Sequence, residues 1–94
     1  MSIKFDWDLN KAEINLKKHK ISFEEAKSVF YDDFARIFYD SVHSDNEVRE
    51  LIIGYSNRNR LIIVSYTERK NYIRLISARK ATTKERKLYE DFYR

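Results

Sequence analysis

Between Phe34 and Arg79 the apolar residues fall on every second position in four runs, residues 34–39, 48–55, 60–67 and 72–79, rich in Ile, Val, Leu and Tyr. Successive side chains of a β-strand point to opposite faces of its sheet, so this period of two predicts four half-buried strands. The runs are separated by DSVHSDNE, SNRN and ERKN. The last two connectors are short enough for hairpins, and the final three strands are expected to form an antiparallel meander. Asn59 stands where the first of those hairpins needs a residue that tolerates positive φ.

Both ends of the chain depart from that period. Residues 3–7, IKFDW, place Ile3, Phe5 and Trp7 on alternate positions and suit a short edge strand. From Asp8, a natural N-cap, to His19 the apolar residues Leu9, Ala12 and Leu16 recur at helical spacing. Lys17, Lys18 and His19 fall in the last turn, where cations complement the helix dipole. Ser22 followed by Glu25 reads as a capping box that opens a second helix through Tyr31, with Asp32 and Asp33 ending it. Thr82 followed by Glu85 repeats the signal for a third helix. There Leu88 and Phe92 make one apolar row, and Tyr89 and Tyr93 its neighbour. The order is strand, helix, helix, four strands, helix, which predicts a two-layer α+β domain whose mainly antiparallel sheet packs against helices. Ninety-four residues leave no room for a second core, so residues 1–94 are expected to be one domain.

The chain has no Cys and only two His, which argues against disulfides, thiolate metal sites and a zinc centre, and no cofactor is expected. No apolar run is long enough to span a membrane and the N-terminus lacks the apolar stretch of a signal peptide, so a cytoplasmic protein without membrane attachment is expected. The charge is divided along the chain. Residues 1–57 carry 8 Lys/Arg against 11 Asp/Glu, and residues 58–94 carry 11 against 4. An acidic half of −3 thus precedes a basic half of +7, the electrostatic footprint of a polyanion such as nucleic acid.

Equal hairpin loops of four or of two residues would set Arg60 beside Tyr55 on one side and Arg79 on the other. Like charges directly opposite each other destabilise a sheet unless an anion lies between them, and two guanidinium forks suit phosphate oxygens. The same register sets Glu50 beside Arg74 as a cross-strand ion pair. One residue more in either loop would move a strand's residues to the other face. Lys80, Lys84, Arg86 and Lys87 gather at the start of the last helix, where cations oppose the dipole and an anion would offset the cost. Arg74, Lys80, Lys84 and Arg86 are therefore candidates for binding an anionic substrate.

The segments FDWDLNKAEINLKKHKISFEEAKSVFYD, HSDNEVRELIIGYS, NRLIIVSYTER and IRLISARKATTKERKLYE resemble, nearly end to end, the BrnT family of bacterial type II toxins. The resemblance implies a fold like that of RelE-like toxins. It also implies a ribonuclease that blocks translation, acts on mRNA, free or at the ribosome, and is neutralised by a ribbon-helix-helix antitoxin. Such a partner, similar to the antitoxin BrnA, implies a dimer or heterotetramer that meets operator DNA only through the antitoxin. Within the wider group an arginine opening the middle strand and another ending the last strand meet the cleaved phosphate, and Arg60 and Arg79 match those places. The chain departs from the family pattern at Lys20, where glycine is usual, so the first helix must close without a glycine cap. It departs again at Asn59, where Gly-Arg is common.

Metal-free RNA cleavage requires a base for the 2′-hydroxyl, positive charge for the crowded transition state and an acid for the departing 5′-oxygen. Arg60 and Arg79 are the candidates for charge, with Lys80 assisting. His43, in a loop and with an imidazole suited to neutral pH, is the candidate for proton transfer. Tyr89 is a candidate proton donor or base-stacking group, and His19 and Glu68 compete for the acid-base role. Each has a structural alternative: His19 as a dipole cap, His43 as a turn residue, Tyr89 as a packed helix residue, Glu68 as an arginine partner. A non-catalytic RNA-binding or corepressor module is the alternative for the whole chain.

Overall fold

A computed structural model of the chain describes residues 3–43 and 47–91. The elements run β1 (Phe5–Asp6), α1 (Leu9–His19), α2 (Phe23–Ser28) continuing into a 3-10 turn at Val29–Tyr31, β2 (Arg36–Tyr39), β3 (Glu50–Tyr55), β4 (Leu61–Arg69), β5 (Tyr72–Lys80) and α3 (Thr83–Asp91). This is the expected α+β order. Asp8 caps α1, its Oδ1 accepting from the Asn10 and Lys11 amides at 2.8 and 3.2 Å. The helix closes without glycine because Lys20 itself takes the left-handed conformation, φ 60°, and donates its N–H to the Leu16 carbonyl. That conformation costs a non-glycine residue ~1 kcal/mol or more, and Arg60 answers it by donating from Nη2 to the Lys20 carbonyl at 3.1 Å.

All five strands form one sheet in the order β1-β5-β4-β3-β2, with β1 parallel to β5 and every other pair antiparallel. Alternation sorts its side chains onto two cores. Ile52, Ile62, Val64, Tyr66, Leu75 and Ala78 face α1 and α2 and bury Ile21, Phe23, Ala26 and Val29, each buried large aliphatic contributing roughly 1.5–3 kcal/mol. Ile53, Leu61 and Ile63 face the other way and pack under Tyr89 of α3. Thus α1 and α2 form a full helical layer on one face, while α3 covers one end of the other. The rest of that second face is left open.

Three devices fix the frame. Asn15 donates from Nδ2 to the carbonyls of Ile21 and Ala78 and accepts at Oδ1 from the Ala78 amide, at 2.9–3.0 Å, which fastens α1 to β5. Gly54, the sole glycine, lets the end of α2 approach β3: a Cβ there would meet Asp32 Oδ2 at 3.0 Å and Ala35 Cβ at 3.1 Å. Asp32 then accepts from the Tyr55 amide at 2.8 Å and from the Tyr89 hydroxyl at 2.7 Å. Burial alone would raise the Asp32 carboxyl, but the Tyr55 and Phe34 amides and the Tyr89 hydroxyl together hold it below its usual range.

The strand register corrects the pairing expected from the sequence. Tyr55 pairs with Leu61, so the first hairpin loop is Ser56 to Arg60, one residue longer than four, and Arg60 precedes β4 instead of facing Tyr55. The second loop is the pair Lys70-Asn71, because Arg69 pairs with Tyr72, and a bulge between Ser65 and Tyr66 slips the upper register by one more residue. Arg79 consequently faces Ile63, and Arg60 and Arg79 are not cross-strand neighbours. Glu50 pairs with Tyr66, while Arg74 forms its ion pair with Asp6 of β1 at 2.6 Å. The expected Glu50–Arg74 pair does not form. Asn59 does adopt φ 59°, as its place in the turn required.

Candidate active site on the open sheet face

The open part of the second sheet face is a cavity of about 310 Å³ between the β2–β3 connection and β5. Arg49 and Leu51 approach it from one side, Ser65 forms the floor, Ile76, Ser77 and Arg79 form the β5 wall, and Asp40 and His43 stand at the rim. The bulge at Ser65/Tyr66 directs both Ile76 and Ser77 toward it, an effect of the extra residue in β5. Asp40 follows directly on β2 and binds the Arg49 carbonyl through its amide at 2.9 Å, which closes the ladder where the loop begins.

Three residues beyond it, His43 sets its Nδ1 3.0 Å from Asp40 Oδ2. The Asp40 side chain is 11% exposed and the imidazole 62%. A carboxylate on Nδ1 favours the tautomer that carries the proton there and leaves Nε2 as an acceptor. Asp40 also receives the His43 amide at 3.3 Å, so the turn is tied at backbone and side chain.

Opposite stands Arg79, held by α3. Glu85 takes two parallel hydrogen bonds from it, Nη1 to Oε1 at 2.7 Å and Nη2 to Oε2 at 2.8 Å. Glu85 is also the reciprocal member of the capping box, accepting from the Thr82 amide at 2.9 Å while its own amide donates to Thr82 Oγ1 at 3.2 Å. Hydrogen bonding from Arg79, ahead of the Thr82 amide and against burial, holds the Glu85 carboxyl at about 2 instead of 4.5. The helix cap therefore aims the arginine, whose side chain remains 43% exposed beside the cavity.

Of the residues expected at a catalytic centre, the structure brings His43 and Arg79 together and does not bring Arg60 or Tyr89 to them. Arg60 lies at the end of the sheet, its Nε donating to Glu25 Oε2 at 2.9 Å and its Nη2 bound to Glu25 Oε1. The Glu25 side chain is 3% exposed. Arg60, with help from Ser56 and Arg58, holds that carboxyl below its usual range although burial opposes it. The spacing of Ser22 and Glu25 predicts a reciprocal capping box. Ser22 Oγ does accept from the Glu25 amide at 3.0 Å, but the carboxylate turns inward to Arg60 and to the Ser56 hydroxyl at 2.7 Å. Tyr89 is buried, donates to Asp32 and stacks edge-on against Tyr55 with ring centroids 5.5 Å apart. Phe92 and Tyr93, expected on the same helix, lie outside the described residues.

The expected substrate-binding residues separate likewise. Arg74 is at the β1 side with Asp6. Lys80 and Arg86 line a second concavity, of about 250 Å³, with Asn59, Arg60 and Ala81, and Lys84 is exposed on the first turn of α3. His19 stays in the last turn of α1. Sequence reasoning missed Asp40 and Arg49, and it gave Glu25 and Glu85 only as capping-box residues, not as arginine partners. The D-x-x-H spacing was the available signal for Asp40. Arg49 falls within the strand-like run 48–55, and only the cavity distinguishes it. Among the described residues no group of three or more His, Cys, Asp or Glu is placed to hold a metal ion, and no helix is long and apolar enough to cross a membrane.

Comparison with known proteins adds to this geometry. The sequence model of a family described as ribonuclease toxin, BrnT, of type II toxin-antitoxin system matches residues 7–85. Among solved structures, that of the Brucella abortus ribonuclease toxin BrnT superposes with a TM-score of 0.68 and 24% identity, covering 87% of this chain and 100% of that one. At that identity the likeness establishes a shared fold. No curated protein sequence matches.

Proposed function

Because this chain belongs to the BrnT family of ribonuclease toxins from type II toxin-antitoxin systems, we propose that it is an endoribonuclease that cleaves mRNA in the cavity between Asp40, His43, Arg49 and Arg79. The observation that carries this reading is the His43–Asp40 pair set across one cavity from the Glu85-braced Arg79. A family of type II toxins implies an antitoxin partner. The ribbon-helix-helix class of that antitoxin and a dimer or heterotetramer with it follow from the resemblance, as does cytoplasmic action on translation.

The chemistry follows from the groups present. Nε2 of His43, freed as an acceptor by Asp40 on the other nitrogen, takes the proton of the 2′-hydroxyl. The 2′-oxygen then bonds to phosphorus as the bond to the departing 5′-oxygen breaks, leaving a 2′,3′-cyclic phosphate and a 5′-hydroxyl that takes its proton from water. Arg79 and Arg49 supply positive charge to the equatorial oxygens of the transition state, the service a metal ion otherwise performs. Braced by Glu85, Arg79 meets the phosphate without reorganising, which is where preorganised charge gains most.

The test uses purified protein and a short RNA in the presence of a chelator. Wild type is expected to produce cyclic-phosphate ends, and His43→Ala to be slower by ~10²–10⁴-fold. A 2′-deoxy substitution at the cleaved nucleotide should abolish turnover. Cleavage at an unchanged rate by His43→Ala would contradict the assignment of the base, and cleavage of the 2′-deoxy substrate would contradict the mechanism.

A further inference from the structure

The basic half of the chain is not concentrated in the cavity. On the far side of α3 from His43, at the end of the sheet, Asn59, Arg60, Lys80, Ala81 and Arg86 surround a cleft of about 250 Å³. Two of its walls are fixed. Arg60 is tied to buried Glu25, and Arg86 donates from Nη1 to the Tyr55 hydroxyl at 3.0 Å. Lys80 is exposed, and its ammonium, like those of Lys84 and Lys87 on α3, has neither a hydrogen bond nor a carboxylate partner among the described residues. Successive residues of α3 divide between the two hollows: Glu85 turns to Arg79 beside the cavity, and Arg86 turns to the cleft. The exposed Lys84 and Lys87 occupy the same helix between them.

Cations so arranged repel one another and lower the stability of the helix start they occupy. We propose that the cleft formed by Arg60, Lys80 and Arg86 is a second phosphate subsite, which holds the backbone of single-stranded RNA a few nucleotides from the scissile phosphate. The strand leaves the cavity at Arg79, crosses α3 over Lys84 and Lys87, and enters the cleft. This assignment rests on the ribonuclease reading of the cavity and adds the path of its substrate. The ligand is single-stranded because α3 forms a convex ridge, ~10 Å across with its side chains, over which a flexible strand can bend and a rigid duplex cannot. It also gives Arg60 a place beside RNA, though not at the cleaved bond.

The experiment measures binding of the full chain to a single-stranded RNA made uncleavable by a 2′-deoxy nucleotide, by fluorescence anisotropy across a salt series. Neutralising one phosphate of a single strand contributes about 0.7 to the slope of log affinity against log salt. Lys80→Ala/Arg86→Ala is expected to reduce the slope by roughly that amount and to weaken binding several-fold. Lys4→Ala/Lys17→Ala removes the same charge from exposed residues elsewhere and serves as the control. A melt of each variant shows that it is folded. If the two double variants behave alike, binding follows net charge and the subsite is overturned, while cleavage by wild type leaves the active-site reading standing. If wild type neither binds nor cleaves RNA, both are overturned.

Discussion

Two arginines that look equivalent in the sequence have different work in the structure, and the difference lies in their carboxylate partners. Glu25 is buried, so Arg60 is the counter-ion of a charge that water cannot reach. Glu85 is at a helix end, and Arg79 keeps nearly half of its side chain exposed. Removing one member of a buried pair leaves an uncompensated charge and costs ~3–5 kcal/mol, a large part of the stability of so small a domain. Arg60→Ala is therefore expected to melt far below wild type, and Glu25→Leu/Arg60→Met to regain much of the loss. An Arg60→Ala protein that melts like wild type but no longer cleaves RNA would move Arg60 into the catalytic centre. Sequence alone could not separate the two arginines. The partner of Arg60 is 35 residues away in a helix whose capping pattern gave Glu25 a different role, and no local pattern reports that its carboxylate turns inward.

At the scale of elements, the helices were legible because each is opened by a local chemical device. Asp8, Ser22 and Thr82 all cap as their positions required. The strands were legible too, as period-two runs, within about two residues at each end. Their pairing was not, since register depends on single residues in turns and bulges that hydrophobic alternation does not encode. A five-residue loop and one bulge were enough to separate Arg60 from Arg79. The last helix is expected to respond to pH, because its cap and Arg79 share Glu85. The Glu85 carboxyl is lowered in the folded state from 4.5 to about 2. It therefore contributes stability that is full above pH 4.5 and lost as the pH falls toward 2, ~2 kcal/mol once exposure of the guanidinium is allowed for. Glu25 and Asp32, also lowered, act in the same direction. Denaturant titrations are expected to show wild type losing stability across that acid window, and Arg79→Ala losing less of it, because its Glu85 has lost the main cause of the shift. An identical pH profile for the two proteins would mean that Arg79 does not brace the helix.

For the molecule as a whole, the division of charge along the sequence becomes a division in space. The basic second half supplies β4, β5 and α3, which carry Arg79 with its partner Glu85, the cleft and the cationic helix ridge, while the acidic first half supplies the helical layer and Glu25, the buried partner of Arg60. The composition thus points to a polyanion, and the family resemblance to RNA. The site itself needed the sheet: His43, Asp40, Arg49 and Arg79 span 40 residues and meet only because β2, β3, β4 and β5 are neighbours. The central claim is that this meeting cleaves RNA, and induced expression of wild type and Arg79→Ala tests it most directly, with cellular mRNA integrity followed and a melt of the purified variant to show that it is folded. Wild type is expected to fragment mRNA and arrest growth, whereas Arg79→Ala, folded but melting about 10 °C lower, does neither, a loss of ~10²–10³-fold in rate. Fragmentation by the folded Arg79→Ala protein at the wild-type rate would contradict it.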